Sequence, residues 1–588
     1  RMYGSTAKHA DDEAPGMEIR AVDLGFASTA ASVSSSSSSS LPQRQWHLEL
    51  HDVSFAADAG EVLFCVGAAG SWGRSLLELL ADRKTSGRRY GRVLYDGADV
   101  AGKMRRAAAL VSDDGSLESL SVLRTLEVVT YAARLSGAAD PAGRAKAVLD
   151  KLRLGAVADT IVGNATIKSL SGGERKRLTI AVGLVAPRVR GLLLDEPTSG
   201  LDSATALEVM SHVRGAVAKG LGKTTVAYVQ GASGALLARA ADRLLVFVEG
   251  RLAFRGSAAS AKTFFAAAPH GCAMAPGENV AELLVDVANR SRLGRDGAAH
   301  ARAWEHRRPR ERVPVDAFKA AAFSEYEADP PFALQFHASV ARALVVFARS
   351  TSLWGAGLLK AGWIAMIYSA TFKNQNMNST GAANLESLFY FSLMFAILGN
   401  LDAISQFFET AALYRRERAD GRSSPLVYFC ASNAATVPWV MVLSLGFATT
   451  NFWSAGAGQA PGAGWVYLFY AALAVLVNVG GSAWSQLMSL IAPSREVALV
   501  FWQPANYFFA QTSGYPVHLN AVSEYNPAKP LMLVSFTRWA FRGRTSSRLL
   551  GTRTTSSSGS PSCPSSRSSS PSRPRWCRCS ARTSAARA

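Results

Sequence analysis

Five apolar stretches, at residues 353–372, 385–407, 426–452, 465–491 and 497–515, restrict the possible folds of this chain more than any other feature. Each comes close to the roughly 20 residues that an α-helix needs to cross a bilayer. Five such runs packed so closely leave too little polar surface for a soluble helical domain. Trp, Tyr and Phe lie near several of their ends, as suits the membrane–water interface. Loop charge orients them. Arg415, Arg416, Arg418 and Arg422 separate the second and third stretches, and Arg495 lies between the fourth and fifth, so these loops are expected in the cytoplasm. The loops at 373–384 and 454–464 carry no charge except Lys373 and are expected outside. Asn378-Ser379-Thr380, a glycosylation sequon, lies on that side but close to a span. Lys360, Asn400, Asp402 and Asn478 are polar groups in or near spans; Lys360 is close enough to the inner end to snorkel.

The first half of the chain has a different composition. With 588 residues the chain exceeds one core, and several domains are expected. A formal charge of +19 could suggest nucleic acid, but residues 543–588 hold nine Arg and no acid, and the remaining balance suits a membrane protein with basic inner loops. No nucleic-acid partner is expected. The six cysteines show neither zinc spacing nor a disulfide framework. Residues 1–45, with seven consecutive serines at Ser34–Ser40, read as a disordered leader. Residues 46–260 alternate short apolar strands with helical segments, the first of them (46–53) patterned like an edge strand. A polar connector is expected over 261–335, the membrane domain over 336–542, and a low-complexity Ser/Arg tail over 543–588.

Within the α/β half, residues 170–203 read LSGGERKRLTIAVGLVAPRVRGLLLDEPTSGLDS. Ser171, Gly172 and Gly173 place a hydroxyl and bare amides at a helix N-terminus, a geometry suited to phosphate. Leu192-Leu193-Leu194 reads as a buried strand delivering Asp195 and Glu196 to its carboxyl end, where an α/β sheet keeps its chemistry. Asp195 suits a Mg²⁺ shell, and Glu196 suits polarising a water against a γ-phosphate. Ser199 to Asp202 form a turn.

This stretch resembles the signature, Walker B and D-loop of an ABC-transporter nucleotide-binding domain, in wording most like the G subfamily. Residues 120–126 (LSVLRTL) and the pattern at 278–286 are also similar to G-subfamily sequence. The resemblance implies an α/β P-loop NTPase domain followed by an all-α polytopic transmembrane domain, with ATP and Mg²⁺ as cofactors. It further implies an amphipathic connecting helix at 336–349, a basic coupling loop at 414–422 that presses on the ATPase, and a dimer in which each nucleotide lies between one chain's Walker A and the other's signature. Asp202 and Glu174 are then nucleotide-side residues. A sixth span is implied too, and the Ser/Arg tail stands in its place.

Three positions depart from the family pattern. The Walker A position holds Gly67-Ala-Ala-Gly70-Ser71-Trp-Gly73-Arg74-Ser75. Aligned without a gap, Trp72 falls on a glycine, Gly73 on the lysine and Arg74 on the Mg²⁺ serine. A one-residue bulge puts Arg74 on the lysine and Ser75 on the metal. The catalytic lysine is absent in both registers, and the wide guanidinium of Arg74 is a poor replacement for a compact ammonium. Ser112 stands where the Q-loop glutamine belongs. Gln230 stands at the switch histidine and cannot take up a proton near neutral pH. The expectation is an ATP-binding exporter subunit for a lipid-like or amphipathic small molecule, with an impaired ATP site of its own and a second half-transporter, a heterodimer favoured, as partner. A non-catalytic ABC-like membrane subunit or a decayed gene product is the alternative. The transported substrate cannot be read from the sequence.

Overall fold

A computed structural model describes residues 16–30 and 45–511, apart from 85, 100–104, 113–114, 165–168, 268–273, 275–277, 290–328, 377 and 461. Residues 512–515 of the fifth stretch and the Ser/Arg tail therefore lie outside the described residues.

The first half is built on one ten-stranded sheet. Its strands are β1 (Ile19–Ala30), β2 (Gln45–Ala57), β3 (Val62–Gly67), β4 (Arg88–Tyr95), β5 (Ala98–Asp99), β6 (Ala108–Val111), β7 (Gly191–Asp195), β8 (Thr224–Val229), β9 (Arg243–Val248) and β10 (Arg251–Gly256). The spatial order is β5-β4-β1-β2-β10-β9-β3-β8-β7-β6. From β9 to β6 the neighbours run parallel, with Val66 opposite Val229 and Asp195 opposite Tyr228. The β3 and β8 strands are buried along almost their whole length, as continuous apolar sequence on a sheet covered on both faces requires. Parallel register brings the carboxyl ends of β3, β7 and β8 to one edge, and the candidate site lies there.

Eight helices of this half are described: α1 (Trp72–Leu80), α2 (Thr125–Leu135), α3 (Pro141–Lys151), α4 (Gly172–Leu184), α5 (Ser203–His212), α6 (Gly234–Ala240), α7 (Ala258–Ala266) and α8 (Val280–Ala288). One core cluster joins α2, α3, α4 and α8 to one sheet face, and a second packs α1 against β1, β2 and β8.

Two expectations are corrected here. Residues 19–30, assigned to a disordered leader, form β1, hydrogen-bonded to both β2 and β4, with Met17, Ile19, Leu24 and Phe26 buried. Register shifts at Ala21/Leu24 and Leu24/Phe26 break the two-residue alternation, which hides the strand from a periodicity reading. Asp23 takes a positive φ of 47° at the irregularity, and its N–H donates to Ser54 Oγ at 2.6 Å. For the same reason β2 is no edge strand, because β1 covers it. The connector also contains α8, whose Leu283, Leu284 and Val287 are buried in the ATPase-side core, with Asn279 and Glu282 forming a capping box.

From 329 to 511 the described residues are mainly helical: α9 (Phe332–Arg349), α10 (Thr351–Thr371), α11 (Ser379–Leu398), α12 (Leu401–Ala419), α13 (Pro425–Ser454), α14 (Ala463–Ile491) and α15 (Arg495–Gln511). Helix thus covers all five apolar stretches within the described residues. Among the described residues three runs are long and apolar enough to cross a membrane: Ser379–Ala419, Pro425–Ser454 and Ala463–Ile491. The α10 helix carries Lys360 and three glycines, and α15 is described over only 17 residues that include Pro504 and Asn506. Both therefore fall short of that measure.

Candidate nucleotide site

The loop from Gly67 to Ser71 leaves β3 and enters α1, whose N-cap is Ser71. Trp72, the first helical residue, turns its indole under the loop. Its N–H donates to the Ala68 carbonyl at 2.8 Å, and the ring stacks on Phe247 at 4.5 Å and meets Tyr228 edge-on at 4.9 Å. A Cβ on Gly67 would meet the Trp72 ring at 2.2 Å, and one on Gly73 would meet the Tyr228 ring at 2.6 Å. A Cβ on Gly70 would lie 3.3 Å from Trp72. The glycines are thus matched to aromatic neighbours.

Arg74 is exposed on α1 and pairs with Glu78 at 3.0 Å. Ser75 is buried; its hydroxyl donates to the Glu49 carboxylate at 2.5 Å and accepts from Lys84 at 3.0 Å. Burial alone would raise the Glu49 carboxyl, but the hydroxyls of Ser28, Ser75 and Ser71 and the Lys84 charge hold it below the ordinary value. The sequence offered no signal for Glu49 or Lys84, which come from β2 and from the turn after α1.

Asp195 ends β7. Burial raises its carboxyl above the ordinary value, with Glu196 and Glu78 adding to the rise and Arg74 and Lys176 opposing it. Glu196 follows with a positive φ of 49°, and its N–H donates to the Tyr228 carbonyl at 3.0 Å. Such a backbone in a non-glycine residue costs on the order of 1 kcal/mol and persists where its surroundings over-determine it. Gln230, just past β8, donates from Nε2 to the Tyr228 hydroxyl at 2.5 Å. Ser112 lies just past the end of β6, half-buried. Tyr228 therefore links Trp72, Gly73 and Gln230. In sequence it is one apolar position in a fully buried strand, so nothing there separated it from its neighbours.

Ser171 caps α4. Its hydroxyl accepts from the Glu174 N–H at 3.3 Å, and the Glu174 carboxylate accepts from the Ser171 N–H and hydroxyl, both at 2.8 Å. This reciprocal capping box fixes the helix start. Gly172 and Gly173 face Leu201 and Thr205, where a Cβ would come within 3.2 and 2.6 Å. Asp202 caps α5, accepting from the N–H groups of Ala204 and Thr205 at 3.0 Å; the Thr205 hydroxyl, its first cause, and these amides hold its carboxyl below the ordinary value. Signature helix and D-loop turn therefore pack on each other.

The basic last turn of α12 and the turn that follows it dock on this domain. Arg416 donates to Ser116 Oγ at 2.9 Å and to the Thr179 carbonyl at 3.1 Å, and Arg422 donates to the Val182 carbonyl at 3.0 Å. Asp420 pairs with Arg83 at 2.8 Å in a buried contact. On the facing helix α9, Arg342 pairs with Glu417, and Arg349 reaches Glu127 of α2 at 2.6 Å.

Comparison with known proteins agrees with this architecture. Residues 50–199 match the ABC transporter family and residues 334–547 match the ABC-2 type transporter family. ABC transporter G family member 6 of Arabidopsis thaliana is 26% identical over 515 residues, covering 81% of this chain and 69% of the relative. Member 17 from the same plant is 25% identical over 436 residues, covering 69% and 64%. Member 22 is 34% identical over 246 residues, covering 41% and 32%. The chain thus spans between about a third and seven-tenths of these curated relatives. An ABC ATPase domain followed by an ABC-2 type membrane domain, with G-family relatives over most of its length, places this chain in the G family of ABC transporters.

Proposed function

We propose that this chain is one half of a dimeric multi-pass transporter, its ATPase domain cytoplasmic, that exports a lipid-like or amphipathic small molecule and lends its signature to a partner's nucleotide while its own Walker A lies idle. The observation that carries this reading is Trp72. A phosphate-binding loop needs free amides and a lysine reaching the β/γ-phosphates. Here the indole lies under the loop and bonds Ala68, and Tyr228 fills the space that any side chain at residue 73 would enter. The Ser75 hydroxyl, proposed for Mg²⁺, is engaged by Glu49 and Lys84. These residues do not fit Mg²⁺ and ATP phosphates on this loop. Ser171, Gly172 and Gly173, by contrast, start a capped helix, a geometry that can receive a phosphate from outside.

The chain alone, purified in lipid nanodiscs, is expected to turn over ATP at background rate. Co-assembly with a G-family half-transporter that has an intact Walker A should restore turnover. Gly172→Asp in this chain, whose Cβ meets only the flexible end of Leu201, should then abolish it by setting a carboxylate against the phosphate. Robust turnover by the lone chain refutes the reading.

A further inference from the structure

Inside the helical half, at the end nearer the ATPase domain, α10, α11, α12, α13 and α14 line an open cavity of about 130 Å³. Its walls include Phe395, Trp439, Leu443 and Phe447. One side is formed by Ser392 and Ala396 of α11, Gly399 in the break that follows it and Ala403 of α12. At the mouth, Lys360 donates to the Gly399 carbonyl and to Asp402, both at 2.7 Å, and Asp402 is two-thirds exposed. Deeper, Asn400 donates to Asn478 Oδ1 and Asn478 donates to Ser444 Oγ, both at 2.8 Å. Ser392 differs from these: it lines the cavity, is only 3% exposed, and its hydroxyl has no hydrogen-bond partner among the described residues.

The charges at the mouth cancel one to one, and the deeper polar groups Asn400, Asn478 and Ser444 are bonded to each other. A charged head entering here would lose its water and find no spare counter-charge. A hydroxyl entering here finds one group, Ser392, that can both donate to it and accept from it. Ser392 and Gly399 are seven residues apart, roughly 10 Å along the helix axis. That distance is matched by a polar head and a few methylenes, the rest of a chain lying in surrounding lipid.

We propose that this cavity, formed within a single subunit, binds a neutral hydroxylated amphipath of the monoacylglycerol type. The Lys360–Asp402 pair, the Ser392 hydroxyl and the aromatic wall of α13 recognise it. The site gives the exporter reading above a substrate class, but its test measures binding without nucleotide or partner. An absence of transport therefore leaves this result untouched.

The full chain in nanodiscs is labelled with a monoacylglycerol carrying a diazirine in its acyl chain, and in parallel with the lysophosphatidic acid of the same chain. The neutral probe should label α11, α13 or α14 saturably, and the phosphate analogue should bind at least about ten-fold more weakly. Ser392→Ala keeps the space and removes one hydrogen bond, so affinity for the neutral probe should fall about five-fold. Ala396→Phe fills the cavity and should abolish labelling; if that variant does not fold, Ser392→Ala decides alone. Non-saturable labelling, equal binding of the two probes, or unchanged affinity in Ser392→Ala overturns the proposal.

Discussion

Removing the Asp420 carboxylate should loosen the docking of the helical half on the ATPase domain. Arg83 and Asp420 meet at 2.8 Å with each side chain only 8% exposed, one from each half of the chain. Arg83 also donates to the carbonyls of Ala108 at 3.0 Å and Arg105 at 3.3 Å, so it is anchored on the ATPase side whether or not Asp420 is present. Asp420→Asn keeps the shape and leaves a buried guanidinium without its counter-charge. Breaking one partner of a buried pair costs about 3–5 kcal/mol, and the two retained carbonyl bonds favour the lower end. At about 1.4 kcal/mol per factor of ten, 3 kcal/mol is a roughly 150-fold rise in local opening. Global unfolding of a chain with several domains is not two-state, so the assay is amide exchange in residues 81–84 and 416–424, where the opening is read locally. Arg83→Met with Asp420→Leu removes both charges and should return exchange to near the parent value. The pH dependence has a defined sign. Burial alone would push the Asp420 carboxyl up, but Arg83, Arg422 and Arg416 together hold it below its ordinary value. A depressed folded pKa contributes stability that is fully present above the unfolded pKa of about 3.9 and is lost as pH falls through the folded value. Corrected exchange should therefore be flat from pH 8 to 5. An Asp420→Asn protein that exchanges like its parent, or a double variant as loose as the single one, refutes the reasoning.

Restoring the Walker A as Trp72→Gly, Gly73→Lys and Arg74→Ser should fail to bind a fluorescent ATP analogue, because a Cβ at residue 73 meets the Tyr228 ring at 2.6 Å; adding Tyr228→Val should permit binding, and binding by the triple variant alone contradicts the aromatic plug. Deleting residues 16–30 strips β2 and β4 of their shared neighbour and removes the buried Met17, Ile19, Leu24 and Phe26. At about 2–5 kcal/mol per large core side chain this exceeds a typical domain's stability, so the product should be insoluble; a soluble, folded deletion would contradict the strand. Asn478→Leu breaks the Asn400–Asn478–Ser444 chain of hydrogen bonds and should cost about 1–2 kcal/mol, read as a lower melting temperature in detergent. An unchanged melting temperature would show the network to be dispensable.

The parts of this protein legible in its sequence share a physical cause: their signal is local. The β3, β7 and β8 strands are continuous apolar runs because parallel strands are covered on both faces, and the α4 capping box is written in four consecutive residues. Three candidate spans among the described residues are visible by composition. What composition could not locate is the break at Gly399 and Asn400, which divides one apolar stretch into α11 and α12 and carries the second far past the expected end at residue 407, to Ala419. A Gly-Asn pair inside an apolar run is the cue for such a break, though hydropathy averages over it. The β1 strand stayed hidden because its register shifts remove the period-two alternation by which strands are recognised. Tyr228 stayed hidden for the opposite reason. In a strand buried at every position, no residue stands out, and only the fold brings its ring against Gly73 and its hydroxyl to Gln230. Trp72 and Gly73 in the Walker A and Gln230 at the switch position read in sequence as departures at two separate places, yet in space all three surround one tyrosine. Substitutions that touch a common side chain are not independent, and their energies should not add. Reverting one of them alone should therefore disturb the other two.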